Sequence, residues 1–448
     1  MKLFYLITAN YLKLALITSL ISICLHATDL LITQPGMYKL GDNLIFNPSS
    51  TDNAINITVS NVVLDLGNKT VSQGNAVASV DGITINSGLS NIIVQNGFIK
   101  NFTGNGILIN QSCTRININN LQIINCSNCG ILLSGTVGNT ITNTIITQCA
   151  ILGCSNASAF GAINITQSNG LKIENIVIAN TVGTTNISFI TLATCVLCTF
   201  NNIYIKNNSS TGFMRCVNES AGTINKYSNI LIANNTTANQ FLGINIINSN
   251  ADSFNNVRVL ANSSSTQDLI GFNLNNCDNG IFRSCFVQNN SAILGFTGFN
   301  FFTTGNQNFA IDCMVTSNSV SGAAANSIGF NFDDGSREVL RKCQVLNNSS
   351  TNGTATGIFF QGTGGSGSII TNCLVSRNVG VNAASSFGVN RLAGTNNLFP
   401  QVVSFNNNTT AANQLSGVPA GSVQTPAAPA SSNINTLSSP WSSLALGS

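Results

Sequence analysis

GFNLNNCDNGIFRSCFVQNNSA, residues 271–292, reads as two short apolar strands joined by a polar bend, and the chain repeats it. The skeleton returns as GFNFDDGSREVLRKCQVLNNSS (329–350) and as GIFFQGTGGSGSIITNCLVSRNVG (357–380). Working outward, comparable strands start at Gly82, Gly106, Gly130, Ala162, Phe189, Phe213, Gly243, Gly271, Gly298, Gly329, Gly357 and Gly388, 24 to 32 residues apart. A second strand follows each, as in FNNVRV (254–259) and FRSCFV (282–287). Period-two patterning bounded by Gly and Asn marks strands, and no segment carries a helical period. Short connections and a recurrent face predict coils stacked in parallel.

Columns across the repeats support that register. Ile203, Ile230, Val257, Cys285, Cys313, Cys343, Cys373 and Val403 share one position, where cysteine acts as a small buried hydrophobe. Three residues earlier, Phe200, Tyr227, Phe254, Phe282, Ala310, Leu340 and Ile370 form a stack suited to an interior. The bend between these columns carries Asn96, Asn120, Asn143, Asn175, Asn202, Asn229 and Asn256, then Ser284, Asp312, Lys342 and Asn372. After the strand come Asn208, Asn235, Asn262, Asn290, Asn318, Asn348, Asn378 and Asn408. Asparagine tolerates turn dihedrals, and its amide both donates and accepts. Amides repeated at one interstrand spacing can therefore bond along the stack.

Composition narrows the class. Charged residues are 7% of the chain, against roughly 25% in ordinary globular proteins. About 70 asparagines supply the missing polarity. Recurrent Ile, Val, Leu and Phe argue against disorder, and no apolar run beyond the N-terminus reaches the ~20 residues of a membrane span. Lys2 and Lys13 flank LALITSLISICLHA (14–27), which reads as a secretory signal peptide over 1–27 cleaved near Ala27; an uncleaved anchor is the alternative. Cleavage would remove the only histidine, His26, and leave 15 basic residues against 14 acidic. That balance excludes a nucleic-acid partner recognised through clustered basic residues. It also removes the commonest general base and zinc ligand. Residues 28–56 are expected to form an N-terminal cap, 57–413 the solenoid, and 414–448 a Pro/Ala/Ser-rich linker and tail containing Trp441.

With its Asn ladders, stacked Phe and Cys columns, ITVSNVVLDLGNKTV (57–71) and DGITINSGLSNIIVQNGFIKNFTGNGI (81–107), the chain resembles the pectin-lyase-like superfamily. The resemblance spans roughly residues 40–410. It implies a single-stranded right-handed parallel β-helix of about 12–13 coils. It also implies three enzymatic options. Hydrolysis of the polygalacturonase type would draw on paired acids, which Asp333-Asp334 match superficially, but the companion His and Asn-Thr-Asp motifs are missing. Elimination of the pectate-lyase type would need carboxylates on Ca²⁺ beside a basic residue. Asp312, Asp333 and Asp334 are the metal and catalytic candidates, with Asp278 a further acid; Arg341 is the candidate base, ahead of Arg283 and Arg337. Epimerases of the alginate type use a His-containing acidic motif that is absent here.

Against these stands a structural reading of DDGSREVLRK (333–342). Asp333 and Asp334 align with Asn275-Asn276 and Gln361-Gly362, ordinary turn positions, and Asp312 and Lys342 would pair on adjacent coils. Arg337, Glu338 and Lys342 remain as ligand contacts if the stretch is a binding site. Cys126-x-x-Cys129 and Cys195-x-x-Cys198 have metal spacing, yet three residues also span a bend in this repeat. The leading expectation is a secreted, periplasmic or cell-surface β-helix without catalysis, binding carbohydrate or a surface protein and needing no cofactor. The alternatives are a Ca²⁺-dependent polysaccharide lyase or glycoside hydrolase, and a structural adhesin shaft.

Overall fold

A computed structural model describes residues 21–23, 29–154, 159–302, 307–323, 325–334, 337–361, 367–381, 386–392, 397–399, 401–405, 407, 415–416 and 444–446. Every regular element among them is a β-strand, and the fold is an all-β parallel β-helix. The chain divides into two compact units, residues 1–156 with 160–177, and residues 157–159 with 178–448.

In the first unit, Leu30–Ile32 pairs with Ile55–Ile57, which pairs with Ile83–Ile85 and in turn with the strand Ile107–Asn110. A second wall runs in parallel from Gly36–Leu40 through Val62–Gln73 and Ser90–Lys100 to Thr114–Ile124. Strands within residues 30–46, inside the expected cap, pair in parallel with the ladder. Leu30–Ile32 and Leu44–Phe46 alternate buried and exposed residues, as strands with one inward face do. The expected signal peptide falls outside the described residues except for Ile21–Ile23, which pairs with Tyr38–Leu40.

The second unit repeats one coil with little variation. Its first wall stacks Ile187–Val196, Met214–Ser220, Phe241–Ile247, Leu269–Asn275, Gly295–Phe302, Asn326–Asp333 and Ala355–Gln361. A third, short wall is an eight-stranded parallel sheet from Val182–Gly183 to Val379–Gly380. Inside, Phe200, Tyr227, Phe254 and Phe282 stack with centroids 4.7–4.9 Å apart, one per coil. The repeat glycines have a steric origin. A Cβ on Gly271 would lie 2.6 Å from the carbonyl oxygen of Gly298 and 2.6 Å from Val287 Cγ2, so two walls meet there with no room for a side chain.

The post-strand asparagines form a buried hydrogen-bonded line. Asn290 Oδ1 accepts from Asn262 N (2.9 Å) and Nδ2 (3.1 Å), while Asn290 Nδ2 donates to Val259 O and Asn318 Oδ1, both at 2.9 Å. Each amide is fully used, which removes the cost of burying it. The bend asparagines, by contrast, lie at the surface with left-handed φ of 49–59°.

Three register assignments need correction. Cys216, not Phe213, faces Gly243, because Val217 pairs with Ile244. In the last coil Val402 is buried, Val403 pairs with the outward Leu374, and Asn407 rather than Asn408 continues the ladder. Both shifts in that coil have one cause: VVSFNNN offers two valines and three asparagines, and only the tertiary pairing selects among them. The tail lies outside the described residues apart from Leu415–Ser416, which pairs with Val389–Asn390, and Leu444–Leu446, which pairs with Val403–Phe405. No described helix is long and apolar enough to cross a membrane.

Candidate functional site

The first wall of the second unit alternates strictly in its later half. Val217 and Glu219, Ile244 and Ile246, Phe272 and Leu274, Phe299 and Phe301, and Phe330 and Phe332 are all buried inward. Between each pair an asparagine takes the opposite face: Asn218, Asn245, Asn273, Asn300 and Asn331, in direct register. Each Nδ2 donates to the Oδ1 of the preceding coil, at 2.6, 2.8, 2.9 and 2.8 Å. An amide has two N–H donors and two acceptor lone pairs. The ladder engages one of each, leaving polar capacity at every rung. At its end Asn331 Oδ1 has no partner, because Phe359 replaces asparagine on the following coil.

The asparagine line is recessed. Asn245 is 3% exposed and Asn331 8%, whereas Phe302 on one flank is 40% exposed. That flank continues the column Ile247, Asn275, Phe302, with Asp333 at the end of the next strand and Gln361 level with it. Burial raises the Asp333 carboxyl above its usual range, and neighbouring Asp334 adds to this. The other flank is Leu242, Ile270, Thr297 and Ile328. Beside it a cavity of about 230 Å³ is bordered by Asp268, Ile270, Thr297, Asn326 and Ile328, and burial raises Asp268 as well. The result is a polar, nearly uncharged floor with apolar walls and one carboxyl on each side.

The described residues of DDGSREVLRK occupy bend and strand positions of the repeat. Asp334 has φ 62°, as Asn248 (53°) and Asn276 (54°) do in the same bend, and Arg337 repeats the left-handed φ of Asn279. Arg341 is an exposed outward residue of Val339–Arg341, stacked between Ile311 and Thr371. Asp312 and Lys342 occupy the third bend with φ 54° and 55°, on adjacent coils as expected, but no ion pair joins them. Both are exposed, where solvent competes effectively for a lone charge pair. Asp312 therefore lies on a different column from Asp333 and Asp334. No group of three His, Cys, Asp or Glu positioned to hold a metal occurs among the described residues.

Glu338, expected to contact a ligand, is only 1% exposed and belongs to an internal line. Asn308 donates to it through N (2.9 Å) and Nδ2 (3.2 Å), and its own N–H meets Ser368 Oγ at 3.1 Å. Asn225 and Asp252 occupy the same line in earlier coils, where Asp252 Oδ1 accepts the Asn225 N–H at 2.8 Å. Beside them Glu219 is fully buried. Its Oε1 accepts from Asn225 Nδ2 (2.6 Å) and Ser249 Oγ (3.0 Å), and its Oε2 from the Tyr227 hydroxyl. Burial, with Asp252 adding, pushes Glu219 up to about 7, and burial pushes Asp252 up to about 6. This carboxyl pair is interior and polar by sequence, yet it does not line the asparagine face.

Among the described residues, thirteen cysteines are free and buried. In the column Cys285, Cys313, Cys343 and Cys373 each thiol donates to a main-chain carbonyl on the preceding coil, at 3.3–3.8 Å. Packing accounts for that column.

No family model matches the chain, and no curated protein matches it. Solved structures do. The A-module of a mannuronan C-5 epimerase from Azotobacter vinelandii is 11% identical with a TM-score of 0.33, over 76% of this chain and 90% of that one. An exopolygalacturonase from Thermotoga maritima is 10% identical with a TM-score of 0.30, over 68% and 84%. The tailspike of an E. coli bacteriophage is 11% identical with a TM-score of 0.33, over 87% and 70%. The likeness to these solved structures is slight. It carries nothing about activity.

The asparagine face was missed because the sequence reading ranked charge. Its signal was the third letter of Gly-Φ-Asn-Φ (Φ, apolar), at Asn245, Asn273, Asn300 and Asn331.

Proposed function

We propose that the chain is an exported β-helix whose asparagine-laddered face binds a hydroxyl-rich polymer, a polysaccharide, without turning it over. The observation that carries this reading is the recessed line from Asn218 to Asn331, with amide capacity left at each coil. A ligand with hydroxyls at regular intervals can meet amides repeating at about 4.8 Å, and an uncharged floor favours neutral donors and acceptors. Apolar flanks such as Phe302 suit the less polar faces of sugar rings. Export rests on Lys2, Lys13 and the apolar stretch 14–27, and N-terminal sequencing of protein recovered outside the cell tests it. The absence of catalysis rests on the one histidine, His26, falling within the expected signal peptide and on Asp312 standing apart from Asp333 and Asp334.

Affinity electrophoresis through gels containing neutral or acidic polysaccharides is the test. The native chain should be retarded by at least one polymer, and a Phe302→Ala, Asn273→Ala double variant of unchanged circular dichroism should not. Retardation by none, or equal retardation of the variant, defeats the proposal. Product formation abolished by a chelator would replace it with a Ca²⁺-dependent lyase.

A protein partner is the second reading, favoured by one observation. Ile281, Phe309, Val339, Ile369 and Leu398 share an outward column, with Phe309, Ile369 and Leu398 36–52% exposed. Concentration-dependent sedimentation, lost in Phe309→Ser with Ile369→Ser, would support it.

A further inference from the structure

The first unit contains a polar line of its own, and one member departs from type. Asp81 N donates to Asn53 Oδ1 at 3.3 Å. Asn105 donates to Asp81 Oδ1 through N (2.6 Å) and Nδ2 (2.9 Å), and Asn128 Nδ2 donates to Asn105 Oδ1 at 2.8 Å. Three members are amides and the fourth is a carboxylate. An aspartate accepts as asparagine does but has nothing to donate, so it carries a surplus oxygen. That oxygen, Asp81 Oδ2, receives no hydrogen bond from the chain, although Asp81 is only 8% exposed.

Asp81 also lines a cavity of about 410 Å³, together with Ser79, Thr103, Gly104, Asn105 and Asn128. The volume lies within the ~300–1,000 Å³ of small-molecule sites. Gly104 lets the backbone close on the carboxylate, since a Cβ there would lie 2.4 Å from Asp81 Oδ1 and 2.8 Å from Val80 O. The lining is hydroxyl, amide and carboxylate, with no aromatic ring.

We propose that this cavity is a second binding site, in the first unit, for a single uncharged sugar whose hydroxyl donates to Asp81 Oδ2. The Ser79 and Thr103 hydroxyls and the Asn105 and Asn128 amides are the other polar side chains that line the cavity. A divalent cation fits poorly, because no three acidic or sulfur or imidazole ligands converge among the described residues. Burial raises the Asp81 carboxyl above its ordinary range, which is the direction expected of an acceptor short of donors. The site is independent of the asparagine face in the second unit.

Saturation-transfer NMR of the full chain with glucose, galactose, mannose, N-acetylglucosamine and methylammonium chloride tests this. One of the sugars should give a signal, and Asp81→Asn should weaken its binding about tenfold or more, the worth of a hydrogen bond to a charged group. The variant should keep its melting temperature, because the new amide oxygen still accepts from Asn105. Asn273→Ala, on the other face, should leave this signal intact; loss there with retention in Asp81→Asn assigns the sugar to the asparagine face and overturns the proposal. It is equally overturned by silence from every sugar, or by a signal from methylammonium alone.

Discussion

Tyr227 places its hydroxyl on Oε2 of Glu219, and both side chains are completely buried. No basic side chain bonds this carboxyl; its partners are Tyr227, Asn225 and Ser249. The folded chain therefore holds Glu219 and Asp252 at pKa values of about 7 and about 6, raised above 4.5 and 3.8. A group bound to its proton more tightly when folded stabilises most below its unfolded pKa, and that stabilisation fades as pH rises to its folded pKa. The melting temperature should fall from pH 4.5 to 7.5 and then level. Glu219→Gln should flatten part of that slope, worth on the order of 3 kcal/mol. An unchanged slope in the variant would contradict the assignment.

The buried and exposed asparagines should differ sharply. Asn290→Ala removes the side-chain acceptor of the Asn262 N–H and one of the two acceptors of Asn262 Nδ2, together with the Asn290 Nδ2 bonds to Val259 O and Asn318 Oδ1. The cost should be about 3 kcal/mol in a urea melt. Asn229→Ala, which removes exposed bonds to Asn201 and Asn256, should cost well under half of that.

Gly271→Ala should destabilise by about 2 kcal/mol, since its methyl would strike the Gly298 carbonyl and Val287. The φ of Gly271 is not among the left-handed ones, so steric approach alone is responsible. Val287→Ala in the same chain should recover part of the loss, which a double-mutant cycle would measure.

Asp312→Asn should shift stability by less than about 0.5 kcal/mol, and Lys342→Asn likewise. Both restore the residue found elsewhere in that bend, and no ion pair is lost. A loss above 1 kcal/mol in either would show that these charges interact after all.

The fold was legible because its determinants are periodic. Gly271, Asn290 and Cys285 each recur at one coil's spacing, so their columns could be written from the sequence. Registers failed where the letters were redundant, as at Val402-Val403 and Asn407-Asn408, or where glycine was absent, as at Cys216. The site was harder. Charge drew attention to 333–342, yet Asp334, Arg337 and Lys342 are bend residues and Glu338 faces inward. Which asparagines take the outer face depends on the alternation of one wall, and Asn245 differs from Asn262 only in that placement. The carboxyl pair of Glu219 and Asp252 was invisible, since it joins residues from separate coils that share no motif.

The buried asparagine line also limits how the chain can vary. Asn290 meets Asn318 in the same way that Asn318 meets Asn348, so no rung is addressed to a particular neighbour. Excising residues 243–270 would bring Asn235 to Asn290 with the side-chain donors of this line still matched. Removing half that stretch would instead bring Asn235 level with a bend of a different wall, out of the line. The length of this unit is therefore quantised, adjustable by whole coils and by no smaller increment.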